Sequence, residues 1–158
     1  MSTLAFQDYY PDELSHCYGC GRNNPQGHQL KSYWAADGKD SVARYTPAPH
    51  HTAIPGYVYG GLIASLVDCH GTGTASAAAY RAAGREPGSL PPLRFVTGSL
   101  QVSFLAPTPL GVELELRGVP VEVKEKKVVV DITVSANGKL TAKGQVIAVR
   151  MPDSMTPK

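Results

Sequence analysis

One stretch of the chain limits its fold more than any other. From Gly60 to Ala83 there is no proline, and apolar or small residues recur at helical spacing: Leu62, Ile63, Leu66, Val67, His70, Gly73, Thr74, Ala77 and Ala78. The opposite face is equally plain, with Ala64, Ser65, Thr72, Ala75 and Ala79. A helix on a protein surface carries a charged stripe, and this one has none before Arg81 and Arg85. It is therefore expected to be enclosed on most sides, with Gly84 capping its end.

The flanking segments alternate like strands. Leu30–Trp34 and Ser41–Thr46 are joined by a turn at Asp37-Gly38. After the helix come Leu93–Leu105, then Val112–Val123 with a bulge or edge position near Gly118 and Pro120. Val128–Ser135 and Leu140–Arg150 follow, linked by the hairpin pair Asn137-Gly138. Within Leu93–Leu105, Val96, Leu100, Val102 and Phe104 are expected on one apolar face. Two strands, one helix and four strands predict an α+β domain: a curved antiparallel sheet of five to six strands around one long helix. A length of 158 residues suits one such domain. The expected division is an irregular segment over 1–28, the domain over 29–150 and a tail over 151–158. A helical turn is expected at Pro11–Ser15, with Pro11 at its first helical position.

Charge and composition narrow the partners. Lys and Arg number 15 against 13 Asp and Glu, with no basic run longer than Lys126-Lys127, which argues against nucleic acid. No segment has the apolar length of a membrane span, and the first residues lack the pattern of a signal peptide. Three cysteines, an odd number, fit a reducing cytoplasm. Cys17-x-x-Cys20 with His16 and His28 nearby is an incomplete zinc pattern. The expectation is a glycine-rich loop with free thiols and no metal, with Cys69 as small core packing.

The chemistry centres on Asp68, the one carboxylate between Asp40 and Glu86. A carboxylate in an enclosed helix costs several kcal/mol unless it is paired, and such acids gather at functional sites. Tyr59-Gly60-Gly61 opens the same helix. Its bare amides, at the positive end of the helix dipole, can stabilise a developing oxyanion. Eight residues of helix place Asp68 roughly 12 Å from Gly60. If both act on one atom, they come from two copies of the chain, so a symmetric dimer with composite sites follows. His70 follows Asp68 by two positions, so the two side chains diverge; it is expected to be a core histidine.

The run from His51 to His70, H-T-A-I-P-G-Y-V-Y-G-G-L-I-A-S-L-V-D-C-H, resembles a signature of hotdog-fold acyl-CoA thioesterases of the phenylacetate-pathway (PaaI-like) type. That signature is N-x-x-G-x-x-H-G-G-x-x-x-x-x-x-D. The strand T-G-S-L-Q-V-S-F-L-A-P from Thr97 and the early C-Y-G-C-G-R-N-N-P-Q-G are similar to segments of the same family. The resemblance implies a hotdog fold and hydrolysis of an acyl-CoA thioester without a cofactor, in a homodimer or dimer of dimers. Asp68 takes the acid position, as nucleophile or as general base toward water. Gly60 takes the amide that polarises the thioester carbonyl, and Gly61 supports the turn. Thr97 falls where members place a Ser or Thr that positions the acid or the water. Two positions differ: Tyr59 stands at the family His and Ala53 at the family Asn. Tyr59 and His51 are then expected against the substrate, with His50 and Gln101 as other stand-ins for the missing Asn. The same departures motivate an alternative, an acyl-CoA-binding or regulatory hotdog protein that does not hydrolyse its ligand.

Overall fold

The computed structural model describes residues 4–157. Strands β1 (Ser32–Trp34) and β2 (Ser41–Tyr45) precede helix α1 (Gly60–Ala82). Strands β3 (Phe95–Phe104), β4 (Leu114–Val123), β5 (Lys127–Ala136) and β6 (Lys139–Arg150) follow it. All pairings are antiparallel, in the order β1-β2-β4-β5-β6-β3. The curved sheet packs around α1 in the hotdog arrangement.

Leu62, Ile63, Leu66 and Val67 of α1 meet Leu114, Leu116, Val128, Val130, Ile132, Val134 and Val146 in one core. These strand residues alternate in sequence, so each strand turns one face to the helix. Close approach needs small residues: a side chain at Gly71 would collide with Val146. The other side of α1 is closed by the amino-terminal segment, where Phe6 and Gln7 are buried in a 3-10 turn over Phe6–Tyr9. Phe6 packs edge-on against Trp34 at 5.1 Å, and the Arg81 guanidinium lies 3.8 Å over the same indole.

Local chemistry sets the connections. Asn137 and Gly138 both have positive φ, 52° and 76°, as a two-residue hairpin turn requires. The register of β4 against β5 shifts between Pro120 and Glu122, so the bulge lies where glycine and proline announce it. Gly84, at φ +64°, donates to Arg81 O and ends α1.

Two expectations need correction. Pro11 is the N-cap of a 3-10 turn over Asp12–Leu14, one place before the first helical position. β3 does not bury an apolar face within the chain: Val96 and Val102 are half-buried, and Leu100 and Phe104 are 38% and 55% exposed. The reason is its place at the sheet edge, where Phe95 enters the core and Val102 only borders it, and a register shift between Thr97 and Ser99 that breaks the alternation.

Candidate functional site

Asp68 sits near the middle of α1, on the one strip of the helix that is not closed over. Gly60, Ala64, Ser65 and Asp68 are half-buried and Gly61 is exposed, while Leu62, Ile63, Leu66 and Val67 are buried. The spacing of three and four residues puts the open positions on one face. The Asp68 carboxylate Oδ1 accepts a short hydrogen bond from Thr97 Oγ1 on β3. Burial pushes the Asp68 carboxyl above its ordinary value, and the Thr97 bond pulls it partly back. The neighbouring Cys17 adds to the rise, and Arg94 opposes it.

Gly60 and Gly61 begin α1, with Tyr59 as the N-cap at extended backbone angles. Their amides have no hydrogen-bond partner among the described residues, as expected for the first turn of a helix. The Tyr59 ring folds over Gly61, where any side chain would strike it. A groove of about 420 Å³ adjoins this helix start, lined by Tyr57, Val58, Gly60, Ile63, Phe104 and Leu105 among others.

His51 holds the loop that delivers the helix start. Its Nδ1 accepts from Ala48 N at 2.9 Å, and its carbonyl accepts from Tyr59 N at 2.9 Å. Its ring lies 5.3 Å from His28 and 4.3 Å from His50, and burial lowers its pKa. Ala53 is exposed, in the short ladder that pairs Thr52 with Val58. Gln101 is an exposed residue of β3.

The structure thus joins Asp68 to Thr97, and Gly60 to Gly61, Tyr59 and the His51 loop. It leaves the two groups apart within one chain, because both ride on one rigid helix. Sequence reasoning missed two features. The thiols of Cys17, Cys20 and Cys69 converge beside Asp68, all within 4.8 Å of one another. Hydrogen bonding from its two neighbours favours the thiolate of Cys17, while the Cys20 thiol is pushed up to about 12. Arg94, a half-buried cation that stacks on Tyr10, lies within electrostatic range of the same cluster. The Cys17-x-x-Cys20 spacing marked two of the three thiols; nothing in the sequence tied Cys69 to them.

The thioesterase superfamily profile matches residues 55–143, which span the helix and most of the sheet. The chain belongs to the thioesterase superfamily. A thioesterase superfamily protein of known structure from Shewanella loihica is 51% identical, with a TM-score of 0.68 over 90% of this chain and all of that one. The PaaI protein of the Escherichia coli phenylacetic acid degradation operon shares the fold at 18% identity and a TM-score of 0.59, over 72% of this chain and 73% of that one. A Streptococcus mutans protein solved bound to acetyl CoA shares it at 19% identity and a TM-score of 0.58, over 72% of this chain and 82% of that one. A search of curated proteins returned no match. No helix among the described residues of this thioesterase superfamily member is long and apolar enough to cross a membrane.

Proposed function

We propose that the protein is an acyl-CoA thioesterase whose sites are shared between two subunits, with Asp68 as the base. The observation that carries the reading is the pair of unpartnered amides at Gly60 and Gly61 together with a carboxylate tethered by Thr97 on the same open strip of α1. Superfamily membership supports the thioester chemistry. The acetyl CoA bound to the Streptococcus mutans relative supports the substrate class.

Within one chain, Gly60 and Asp68 stay roughly 12 Å apart. Two antiparallel copies of α1 that meet at Ala64 bring the Gly60 of one to the Asp68 of the other. The strip they would share, Gly61, Ala64 and Ser65, has side chains small enough for that approach. β3 supports the same axis: it is the edge strand beside β6, and exposed Leu100 and Phe104, with Leu105 just past its end, would be covered by a second copy of β3. The further expectation of a dimer of dimers belongs to the same proposal.

In the proposed step, Asp68 Oδ2 takes a proton from water while Thr97 holds Oδ1. The water oxygen bonds to the thioester carbon, and the carbonyl oxygen becomes an oxyanion facing the amides at Gly60 and Gly61 of the partner subunit. The carbon–sulfur bond then breaks, the acid is released, and the proton held by Asp68 passes to the leaving thiolate of coenzyme A. Thr97 is a positioning residue. Thr97→Val removes a bond to a charged group, worth about 1.5 kcal/mol or more, so kcat is expected to fall roughly tenfold. The same bond lowers the Asp68 pKa, so its loss is expected to move the acid limb of the pH–rate profile upward. An unshifted limb would contradict that role.

A second reading has its own observation: the Tyr59 ring leans over Gly61, and Ala53 offers no side-chain donor. The chain would then bind acyl-CoA without cleaving it. A panel of short, long and aryl acyl-CoA thioesters separates the two, with thiol release and thermal shift measured on the same samples. Thiol release supports the hydrolase; stabilisation without release supports the binding protein.

A further inference from the structure

We propose that Cys17, Cys20 and Cys69 form a zinc site that fastens the amino-terminal segment to α1 beside Asp68. The three sulfurs lie within 4.8 Å of one another, and those of Cys17 and Cys69 are 3.7 Å apart. A tetrahedral zinc ion with Zn–S bonds of about 2.3 Å sets its sulfurs about 3.8 Å apart, so only small adjustments are needed.

The loop has the form such a site requires. The Gly19 amide donates to Cys17 Sγ at 3.3 Å, a bond that favours a thiolate, and the Gly21 amide donates to Cys17 O at 2.8 Å. Cys69 Sγ presses so closely on Gly19 that no side chain fits there. Cys20 and Cys69 are buried, and Cys17 is half-buried, which leaves an approach for the ion and for a fourth, solvent ligand.

Charge is the second, independent observation. The Arg94 guanidinium donates to Phe95 O and stacks 4.2 Å over Tyr10, yet forms no ion pair among the described residues. A divalent ion on three thiolates carries one net negative charge, which Arg94 balances. Tyr10 Oη is buried without a hydrogen-bond partner among the described residues, and it lies within electrostatic reach of all three sulfurs. The histidines of the sequence pattern are not in the set: His28 bonds Tyr45 at 3.3 Å, and neither His16 nor His28 brings a nitrogen into the group. Cys69 supplies the third ligand instead. Each thiol that binds the ion gives up its proton to solvent.

The test uses untagged full-length protein, reduced and stripped with a chelator, then titrated with Co²⁺ as the probe. The expected result is a sulfur-to-cobalt charge-transfer band that saturates at one ion per chain and vanishes on adding one equivalent of Zn²⁺. Zn²⁺ is also expected to raise Tm. Cys17→Ser, at the half-buried position, is expected to keep the fold by circular dichroism and to bind Co²⁺ at least a hundredfold more weakly; Cys20→Ser repeats the test. The absence of the band in folded, reduced protein would overturn the proposal, as would a band unchanged in Cys17→Ser. None of these readouts depends on thioester hydrolysis, so the zinc site and the proposed activity stand or fall separately.

Discussion

Replacing Asp68 by asparagine is expected to lower kcat for acyl-CoA hydrolysis by two to four orders of magnitude, the usual worth of a positioned base, with little change in fold. Asparagine keeps the size of the side chain and an oxygen that can accept from Thr97 Oγ1, so packing beside α1 is retained. What it loses is the ability to take a proton from water. Thermal melting compares its stability with that of wild type. Removing a half-buried carboxylate, whose charged form burial disfavours, is expected to leave Tm equal or higher. Steady-state assays with the best thioester from the panel, on protein of matched circular dichroism, measure the loss. Turnover within threefold of wild type would remove Asp68 from the mechanism.

The second large effect concerns stability. His70→Ala is expected to destabilise the fold by about 3–5 kcal/mol, measured by guanidinium denaturation at pH 7. His70 is fully buried and ties α1 to both β1 and β2 through its two ring nitrogens. Its Nδ1 lies 2.8 Å from Ser32 Oγ on β1, and its Nε2 lies 3.0 Å from Ser41 Oγ on β2. Ser32 Oγ accepts from Gln7 Nε2 at 3.1 Å, which leaves its own proton for Nδ1. Ser41 Oγ meets Thr74 Oγ1 at 2.7 Å and Gly118 O at 3.3 Å, so it accepts from Nε2–H. The imidazole is therefore neutral with its proton on Nε2. The alanine variant leaves both hydroxyls short of a partner and opens a cavity.

The same network makes stability depend on pH. Burial lowers the His70 pKa from 6.5 to about 4. Below 6.5 the unfolded chain binds a proton that the folded chain refuses, so stability falls as pH drops from 6.5 toward 4. The loss attributable to His70 is about 3 kcal/mol. His70→Gln is expected to flatten that slope, and a slope equal to that of wild type would contradict the buried neutral imidazole.

How much of this was legible in the sequence varies with the physics involved. α1 was, because an uncharged proline-free run has few other ways to fold, and Asp68 stood out against it. The hairpin at Asn137-Gly138 was, because positive φ selects those residues. The place of His70 in an enclosed helix marks it as a core histidine, but its hydroxyl partners come from strands distant in sequence. β3 misled: Leu100 and Phe104 have the alternation of a core strand, yet they sit on an open edge, and alternation cannot say which chain covers a face. The 3-10 turn over Phe6–Tyr9 lies in the segment expected to be irregular, because so short an element is held by the burial of Phe6 and Gln7 rather than by local propensity. The thiol cluster was invisible for the same reason, since Cys69 meets the Cys17 loop only through tertiary packing.

The claim that one site takes Asp68 from one chain and the Gly60 amide from another is most directly tested by mixing two inactive variants. Asp68→Asn removes the base. Gly60→Pro removes the amide, and proline suits the first helical position, where the extended backbone of Tyr59 already accommodates it. Each variant alone is expected to be nearly inactive. Unfolded together and refolded, half of the dimers should be mixed, and each mixed dimer holds one intact site, so activity should recover to about a quarter of wild type. A mixture in which mass spectrometry detects mixed dimers, but whose activity stays at the level of the separate variants, would contradict the shared site.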